Sequence, residues 1–454
     1  MGKTERTLYE YTASQDVVAL QAKYTLYKQI MNIIMYAKCD MNMDVDLLTK
    51  AWKLVVERND CLRMGFVGSG KKARQYFIDK VEVKDIPYME FNTDEEFETF
   101  IKKYRKIVLK YKKEEVYDII FCKMPDGKFT VLLKVCHLVL DTYGIGIIFQ
   151  DLFGVYNALK NGTELPACPG KFEDLVKKDI QYNHNPETEK KNLEFFTEYL
   201  KMKEPPYYAG IHGDKHPLWK KQVKKGSKCM KMFFIKCDTE GFKFDIDKET
   251  TDKAMKYCAE NHYTPANFFF YLCSVVCSKA NGNVKNMIPL ELCNCRGTVQ
   301  EKKTAGTKVQ SIGCYTTVDG ERSFSDNFAD FCVSQNQLYR HLGFSDIEYE
   351  KLFNKIYKAS FLETYYHIIF SFIPTRAIEG VEISFISNGK FVLPAYVALM
   401  YDVDNGTMQM VYDAQTILHT ENDLKCFTEN FVSVINQVTA NPNVLLKDVV
   451  VEPY

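Results

Sequence analysis

A histidine and an aspartate four residues apart are the side chains in this 454-residue sequence that are best suited to chemistry. They are His137 and Asp141, in a segment that reads VCHLVLDTYG over residues 135–144. Because imidazole titrates near neutral pH, His137 could act as a general base or orient a nucleophile by a hydrogen bond. A histidine among apolar residues is also a common core residue, so the pair needs a suitable structural context before a catalytic role follows.

The residues around His137 predict a β-hairpin followed by a buried helix. Aliphatic and β-branched residues fill 116–123 and 129–135, and a Pro-Asp-Gly turn signal separates the two runs. Over 145–159 the apolar residues are too dense and the run is too long for a strand, which favours a helix. His137 would then lie at the strand-to-helix junction. The helix, beginning near Gly144, could offer backbone N–H groups to a developing negative charge.

The segment resembles the His-His-x-x-x-Asp-Gly motif of the condensation domains of nonribosomal peptide synthetases, members of the chloramphenicol-acetyltransferase-like acyltransferase superfamily. His137 matches the second, functional histidine of that motif, and Asp141 matches the aspartate. Cys136 replaces the first histidine, Thr142 replaces the glycine, and Gly144 flanks the motif. The resemblance therefore implies that His137 is the catalytic residue.

Two further stretches are similar to the same family. Residues 58–66 resemble its second motif, His-x-x-Leu-Arg-x-x-Phe preceded by an arginine; Arg63 fits that pattern, while Asn59 stands where the family has histidine. Residues 289–297 and 311–317 resemble the segment in which an arginine, here Arg296, precedes an Ile-Gly-aromatic run. In the family this second region forms a loop that crosses under a channel.

A buried carboxylate at Asp141 needs a cationic partner, because desolvating an unpaired ionised carboxylate costs several kcal/mol. Arg63 and Arg296 are the two arginines that the similar motifs supply, and either guanidinium could bind a carboxylate through two nitrogens. Taken alone, the residue type of Arg296 favours an exposed position. On the ion-pair interpretation Asp141 and its arginine shape the site, and Asp141 takes no part in proton transfer.

The resemblance implies an α/β fold of two chloramphenicol-acetyltransferase-like lobes, arranged as a V-shaped pseudo-dimer with a central tunnel and with His137 at the tunnel's midpoint. We expect residues 1–170 to form the N-terminal lobe that carries the motif, 171–225 to link the lobes, and 226–454 to form the C-terminal lobe with its crossing loops. The second half of the sequence predicts helices and strands like those of the first half. They include helices over 264–280, 325–341 and 421–438 and a strand over 286–292.

Composition narrows the classes of function. The 59 basic and 59 acidic residues balance, which disfavours nucleic acid or an anionic membrane as a partner, and the lysine-rich run at 220–225 is interpreted as a solvated loop. Fifteen cysteines, an odd number scattered through apolar runs, favour free thiols in a reducing compartment. Cys293 and Cys295 lack a second ligand pair, so we expect no metal site. Without a signal peptide, myristoylation motif or membrane span, the sequence predicts a cytoplasmic protein.

The main hypothesis is a free-standing, monomeric acyltransferase that joins a carrier-protein-bound acyl or aminoacyl thioester to an amine and forms an amide. Carrier proteins would dock in trans and bring the phosphopantetheine, so we expect no cofactor bound by the chain itself. A second hypothesis keeps the fold but makes an ester to an alcohol or a free small-molecule acceptor. A third is a degenerate module that binds carrier proteins without turnover, which the replacements at Cys136 and Thr142 leave open.

Overall fold

The computed structural model describes residues 6–453 except 41, 202, 214–227, 233–234, 361–362 and 377, so the lysine-rich run at 220–225 lies outside the described residues. The chain forms two compact units. Unit 1 comprises Met1–Glu189, Asn294–Val309 and Ile378–Gly389, and unit 2 comprises Lys190–Cys293, Gln310–Ala377 and Lys390–Tyr454. Two short segments that are remote in sequence therefore belong to unit 1.

The α-helices of the described residues are numbered from the N-terminus. They are α1 (Ala13–Tyr24), α2 (Val45–Arg58), α3 (Asp94–Tyr104), α4 (Thr142–Asn161), α5 (Phe172–Asn183), α6 (Pro186–Lys201), α7 (Lys248–Glu260), α8 (Pro265–Ala280), α9 (Val299–Lys302), α10 (Phe324–Tyr339), α11 (Asp346–Tyr357) and α12 (Glu421–Ala440). Together with the strands they confirm the predicted α/β class.

The strands follow the same numbering. They are β1 (Asn32–Cys39), β2 (Met64–Val67), β3 (Arg74–Phe77), β4 (Tyr88–Glu90), β5 (Tyr117–Lys123), β6 (Phe129–Cys136), β7 (Met230–Lys231), β8 (Thr239–Ile246), β9 (Asn286–Met287), β10 (Leu290–Cys293), β11 (Gln310–Gly313), β12 (Thr316–Thr317), β13 (Glu363–Thr364), β14 (Ile369–Thr375), β15 (Val381–Ile386), β16 (Ala395–Asp402) and β17 (Thr407–Gln415).

The main sheet of unit 1 has the strand order β15-β1-β6-β5-β4. Strand β6 lies at its centre, antiparallel to β1 and β5, and all eight of its residues are buried. Asn32 of β1 pairs with Cys136, the last residue of β6. The edge strand β15 comes from the remote segment Ile378–Gly389 and pairs with β1. The predicted hairpin is confirmed, and the pairing fixes the end of β6 directly before His137.

Helix α4 begins and ends at residues suited to those positions. Asp141 is its N-cap, and Gly162 ends it with a left-handed backbone, φ 65°, which glycine adopts at low cost. The predicted helix over 145–159 is thus confirmed, and it begins three residues earlier, at Thr142. The early start follows from the cap, because an aspartate at position 141 satisfies a backbone donor in the helix's first turn.

Unit 2 contains a six-stranded sheet with the order β11-β10-β14-β16-β17-β8. Helix α8 is buried from Asn267 through Ser278. The predicted strand over 286–292 is interrupted between β9 and β10, because Pro289 has no backbone N–H to donate to a ladder. Within the described parts of the chain, no helix is both long enough and apolar enough to cross a bilayer.

Candidate active site

The turn that carries His137 joins the central strand of unit 1 to α4. Strand β6 ends at Cys136, residues 137–139 form a turn, and α4 begins at Thr142. The His137 N–H donates to the Met31 carbonyl at 2.7 Å, and the Val139 N–H donates to the Cys136 carbonyl at 2.9 Å. These main-chain bonds fix the imidazole to a rigid strand end.

The imidazole of His137 is half-buried. Its Nδ1 is buried and has no hydrogen-bond partner among the described residues. Burial holds the pKa of His137 below its usual value of 6.5, while the negative charge of Asp141 and the nearby carbonyl groups of His137 and Leu140 act in the opposite direction. The ring is therefore neutral at neutral pH and able to accept a proton.

The carboxylate of Asp141 accepts hydrogen bonds from two parts of unit 1. The Gly144 N–H in the first turn of α4 donates to Oδ1 at 2.7 Å. The N–H groups of Lys308 and Val309 donate to Oδ2 at 2.8 and 3.1 Å. Asp141 thus caps the helix and also holds the end of the segment Asn294–Val309.

Arg296 is the ion-pair partner of Asp141. Its two terminal nitrogens lie 3.0 Å from Oδ2 and 3.1 Å from Oδ1, and its side chain is 0% exposed. One of these nitrogens also donates to the Gly306 carbonyl at 2.8 Å, and the guanidinium carbon lies 4.8 Å from the centre of the Tyr143 ring. The pair is therefore bidentate and enclosed.

Asp141 remains ionised in this setting. Burial raises the pKa of its carboxyl, but the positive charge and hydrogen bonds of Arg296, with the N–H groups of Lys308 and Gly144, outweigh it and hold the pKa below 3.8. A carboxylate that stays charged near neutral pH and spends its lone pairs on fixed donors is poorly suited to proton transfer. Its contacts are those of a structural anchor.

Arg63 lies in another part of the scaffold. Its guanidinium donates to the carbonyl groups of Val56, Glu57, Ile78 and Asp79. It therefore holds the end of α2 against the chain that follows β3.

The neighbouring Arg58 and Asn59 both bind Asp151 of α4. Arg58 donates at 2.9 Å and the Asn59 side-chain amide at 2.8 Å. Asn59 stands in place of the histidine in the similar family motif, and its amide ties α2 to α4. The contacts of this second motif are those of a scaffold.

The prediction that the start of α4 offers backbone N–H groups to a developing negative charge does not extend to Gly144. The Gly144 N–H is engaged by the Asp141 carboxylate, so it is not free to bind an oxyanion. Gly144 instead permits a close approach, because a Cβ built on it would lie 2.8 Å from the Gly306 carbonyl oxygen.

Cys136 is buried, and burial raises the pKa of its thiol to about 12, which makes it a poor nucleophile. Thr142 is half-buried in the first turn of α4.

Two residues that the sequence analysis did not select bind the turn directly. The Thr307 hydroxyl donates to the His137 carbonyl, and the Gln15 side-chain amide donates to the Leu138 carbonyl. Neither residue belongs to a motif, and neither is near the turn in sequence. The sequence carries no local signal for either contact.

The model of the family described as Condensation domain matches residues 5–453. A plipastatin synthase protein of Bacillus subtilis (strain 168) is 20% identical over 431 residues, which are 92% of this chain and 16% of that protein. A linear gramicidin synthase protein of Brevibacillus parabrevis is 24% identical over 216 residues, 45% of this chain and 4% of that protein. The chain thus spans a small part of the length of these relatives.

Solved condensation domains share the fold. The starter condensation domain of rhizomide synthetase, solved in complex with C8-CoA, superposes with a TM-score of 0.79 at 13% identity and covers 98% of each chain. The first condensation domain of the calcium-dependent antibiotic synthetase, solved with a substrate analogue, gives 0.78 at 14% identity over 98% of this chain and 100% of that one. The predicted chloramphenicol-acetyltransferase-like fold is confirmed.

Removal of the Asp141 carboxylate should destabilise unit 1. Asp141→Ala leaves the Arg296 guanidinium buried without its counter-charge and removes the cap of α4, so we expect the free energy of unfolding to fall by about 3–5 kcal/mol. Denaturant titration measures this change. Glu98→Ala is the control, because Glu98 forms an exposed pair with Lys102 in the same unit at 3.9 Å, and it should cost less than about 1 kcal/mol. Wild-type stability of Asp141→Ala would contradict the anchoring role.

Two glycines of α4 offer a matched test of the close approach at Gly144. Gly144→Ala should lower stability by about 1–3 kcal/mol, because the new methyl group meets the Gly306 main chain. A Cβ on Gly146 would meet nothing within 4 Å, so Gly146→Ala should raise stability by up to about 1 kcal/mol through its higher helix propensity. Thermal melts of both variants measure the difference, and equal melting temperatures would contradict the packing described.

Proposed function

The chain belongs to the condensation domain family of nonribosomal peptide synthesis, and we propose that it joins an acyl or aminoacyl thioester, carried by a carrier protein in trans, to an amine and forms an amide. The observation that carries the proposal is His137. The ring is half-buried with its pKa held below 6.5, and it lies on the turn between β6 and α4 that matches the family's motif. Asp141 and Arg296 would fix that turn without exchanging protons.

The proposed reaction is a direct transfer between two substrates. The amine nitrogen attacks the thioester carbonyl carbon, the new C–N bond forms, and the C–S bond breaks. His137 accepts the proton that the amine loses and returns one to the departing thiolate, so a free thiol leaves. A positioned base of this kind contributes a factor of about 10²–10⁴.

An acyl-enzyme intermediate is disfavoured by the residues near His137. The neighbouring Cys136 thiol is buried, with a pKa raised to about 12, so it is not a ready nucleophile. The sequence also contains no Gly-x-Ser-x-Gly nucleophile elbow. Attack of the acceptor on the thioester itself requires neither group.

A phosphopantetheine thioester is the proposed donor class. The starter condensation domain of rhizomide synthetase was solved with C8-CoA. Coenzyme A and carrier proteins present the same phosphopantetheine arm, so that complex supports a donor of this kind for the present chain. A neutral imidazole could also deprotonate an alcohol, and an ester product is therefore the second proposal to be tested in the same assay.

The deciding experiment is an intact-mass assay of acyl-loaded carrier protein incubated with the protein and a panel of amines and alcohols. Loss of the acyl group from the carrier with an amide product is expected for the wild type, and His137→Ala should lower the rate at least about a hundredfold. Ester products alone would favour the second proposal. Absence of any transfer would favour a carrier-binding module.

A control separates catalysis from stability. His184→Ala removes another histidine of unit 1, whose side chain is 62% exposed, and should leave the rate unchanged. His137→Ala should melt at the wild-type temperature, because the Nδ1 atom of His137 makes no hydrogen bond within the described residues. Undiminished turnover by His137→Ala would contradict the assignment of His137 as the base.

The reaction rate should fall at low pH, where His137 becomes protonated. Burial places the pKa of His137 below 6.5, so the ring is neutral and active above its pKa, and the rate falls as the pH drops through it. An aromatic amine acceptor that stays neutral over this range isolates the enzyme's own titration. A profile of kcat/KM against pH should therefore bend below 6.5. A bend above 6.5 would contradict the environment described for His137.

A further inference from the structure

The carbonyl groups on the C-terminal side of His137 are each bound by a buried side chain from outside the turn. Thr307 Oγ1 donates to the His137 carbonyl at 2.6 Å, and Gln15 Nε2 donates to the Leu138 carbonyl at 2.8 Å. Thr307 and Gln15 are both 0% exposed. A turn lacks the regular partners of a strand or helix, so these two side chains satisfy carbonyl groups that would otherwise be buried without a donor.

Gln15 is itself held in one orientation. Its amide pairs reciprocally with the amide of Gln75, with both N···O distances at 2.7 Å. Its Oε1 also accepts from the Thr12 N–H at 3.0 Å, and Gln75 Nε2 donates to the Glu10 carbonyl at 2.7 Å. Both Nε2 hydrogens of Gln15 are thus used, one on Gln75 and one on Leu138. Rotation of the amide would break several bonds at once, so it is a rigid donor.

Thr307 is held by its neighbours in sequence. Gly306 before it accepts from Arg296, and Lys308 after it donates its N–H to Asp141. The hydroxyl of Thr307 therefore approaches the His137 carbonyl from a loop that the buried ion pair fixes. Gln15 approaches the next carbonyl from α1, and the turn is bound from two independent elements.

We propose that Thr307 and Gln15 are positioning residues for the transfer reaction, setting the direction of the His137 imidazole by fixing the peptide groups that follow it. The inference rests on the proposed function, in which His137 is the base. A catalytic group must be held within about 0.5 Å and 10–20° of its productive geometry. A rotated His137 peptide would carry the ring away from the acceptor, at a cost in rate but not in substrate affinity.

The loop provides a matched pair of variants. Thr307→Val removes the hydroxyl at constant shape. Thr304→Val makes the same change three residues earlier, at another 0% exposed threonine, whose hydroxyl donates to the Gln300 carbonyl at 2.8 Å. Both variants lose one buried hydrogen bond, so their stabilities should fall by similar amounts. A purely structural role for Thr307 predicts equal kinetics as well.

The kinetic test compares kcat and KM in the carrier assay. Thr307→Val should lower kcat roughly tenfold to hundredfold with KM unchanged. Thr304→Val should retain the wild-type kcat, and Thr307→Ser, which keeps the hydroxyl, should restore it. If Thr307→Val fails to fold, Gln15→Met is tested in its place, and Gln75→Met is the control. Both changes break the amide pair between Gln15 and Gln75, but only Gln15→Met removes the hydrogen bond to the Leu138 carbonyl. Equal kcat within either pair overturns the proposal.

A readout without turnover separates this inference from the proposed function. The imidazole signals of His137, assigned by their absence in His137→Ala, are followed by NMR through a pH titration. Thr307→Val should shift the His137 titration and Thr304→Val should not. Wild-type protein that transfers no acyl group overturns the proposed function, while an unshifted His137 titration in Thr307→Val overturns the positioning role.

Discussion

The rest of the site depends on one buried ion pair, between Asp141 and Arg296. A carboxylate that is 4% exposed is costly to desolvate, and it remains charged because a bidentate guanidinium and three backbone N–H groups surround it. Those donors come from α4 and from the segment Asn294–Val309, which are far apart in sequence. The charge therefore fixes the start of α4 and the loop of residues 294–309 with a single group.

The chemistry of His137 follows from this division of roles. Asp141 is occupied by fixed donors, so the imidazole is the titratable group left at the strand end, and burial keeps it neutral at neutral pH. Gly144 allows α4 to approach Gly306 closely enough for the pair to form. In the proposed mechanism the base acts alone, with Asp141 as its anchor. Of the two residues that replace family motif positions, Cys136 is buried and Thr142 is half-buried at the start of α4. Neither replacement removes the imidazole of His137.

Sequence patterns predicted the local elements of the site, because the hairpin, α4 and the need of Asp141 for a cation are all expressed within short stretches. They could not choose between Arg63 and Arg296, since that choice depends on how distant loops return. The contacts of Gln15 and Thr307 and the pairing of β15 with β1 are equally non-local. The Gly144 N–H is unavailable to an oxyanion for a local reason: the same aspartate that shapes the site also caps the helix.

A double-mutant cycle on the ion pair tests the account most directly. The free energies of unfolding of Asp141→Ala, Arg296→Ala and the double variant are measured by denaturant titration against the wild type. Either single change leaves the other group buried and unpaired. The loss in free energy of unfolding of the double variant should therefore be smaller than the sum of the two single losses, by at least about 2 kcal/mol. Effects that add to within about 0.5 kcal/mol would contradict the claim that this pair holds the site together.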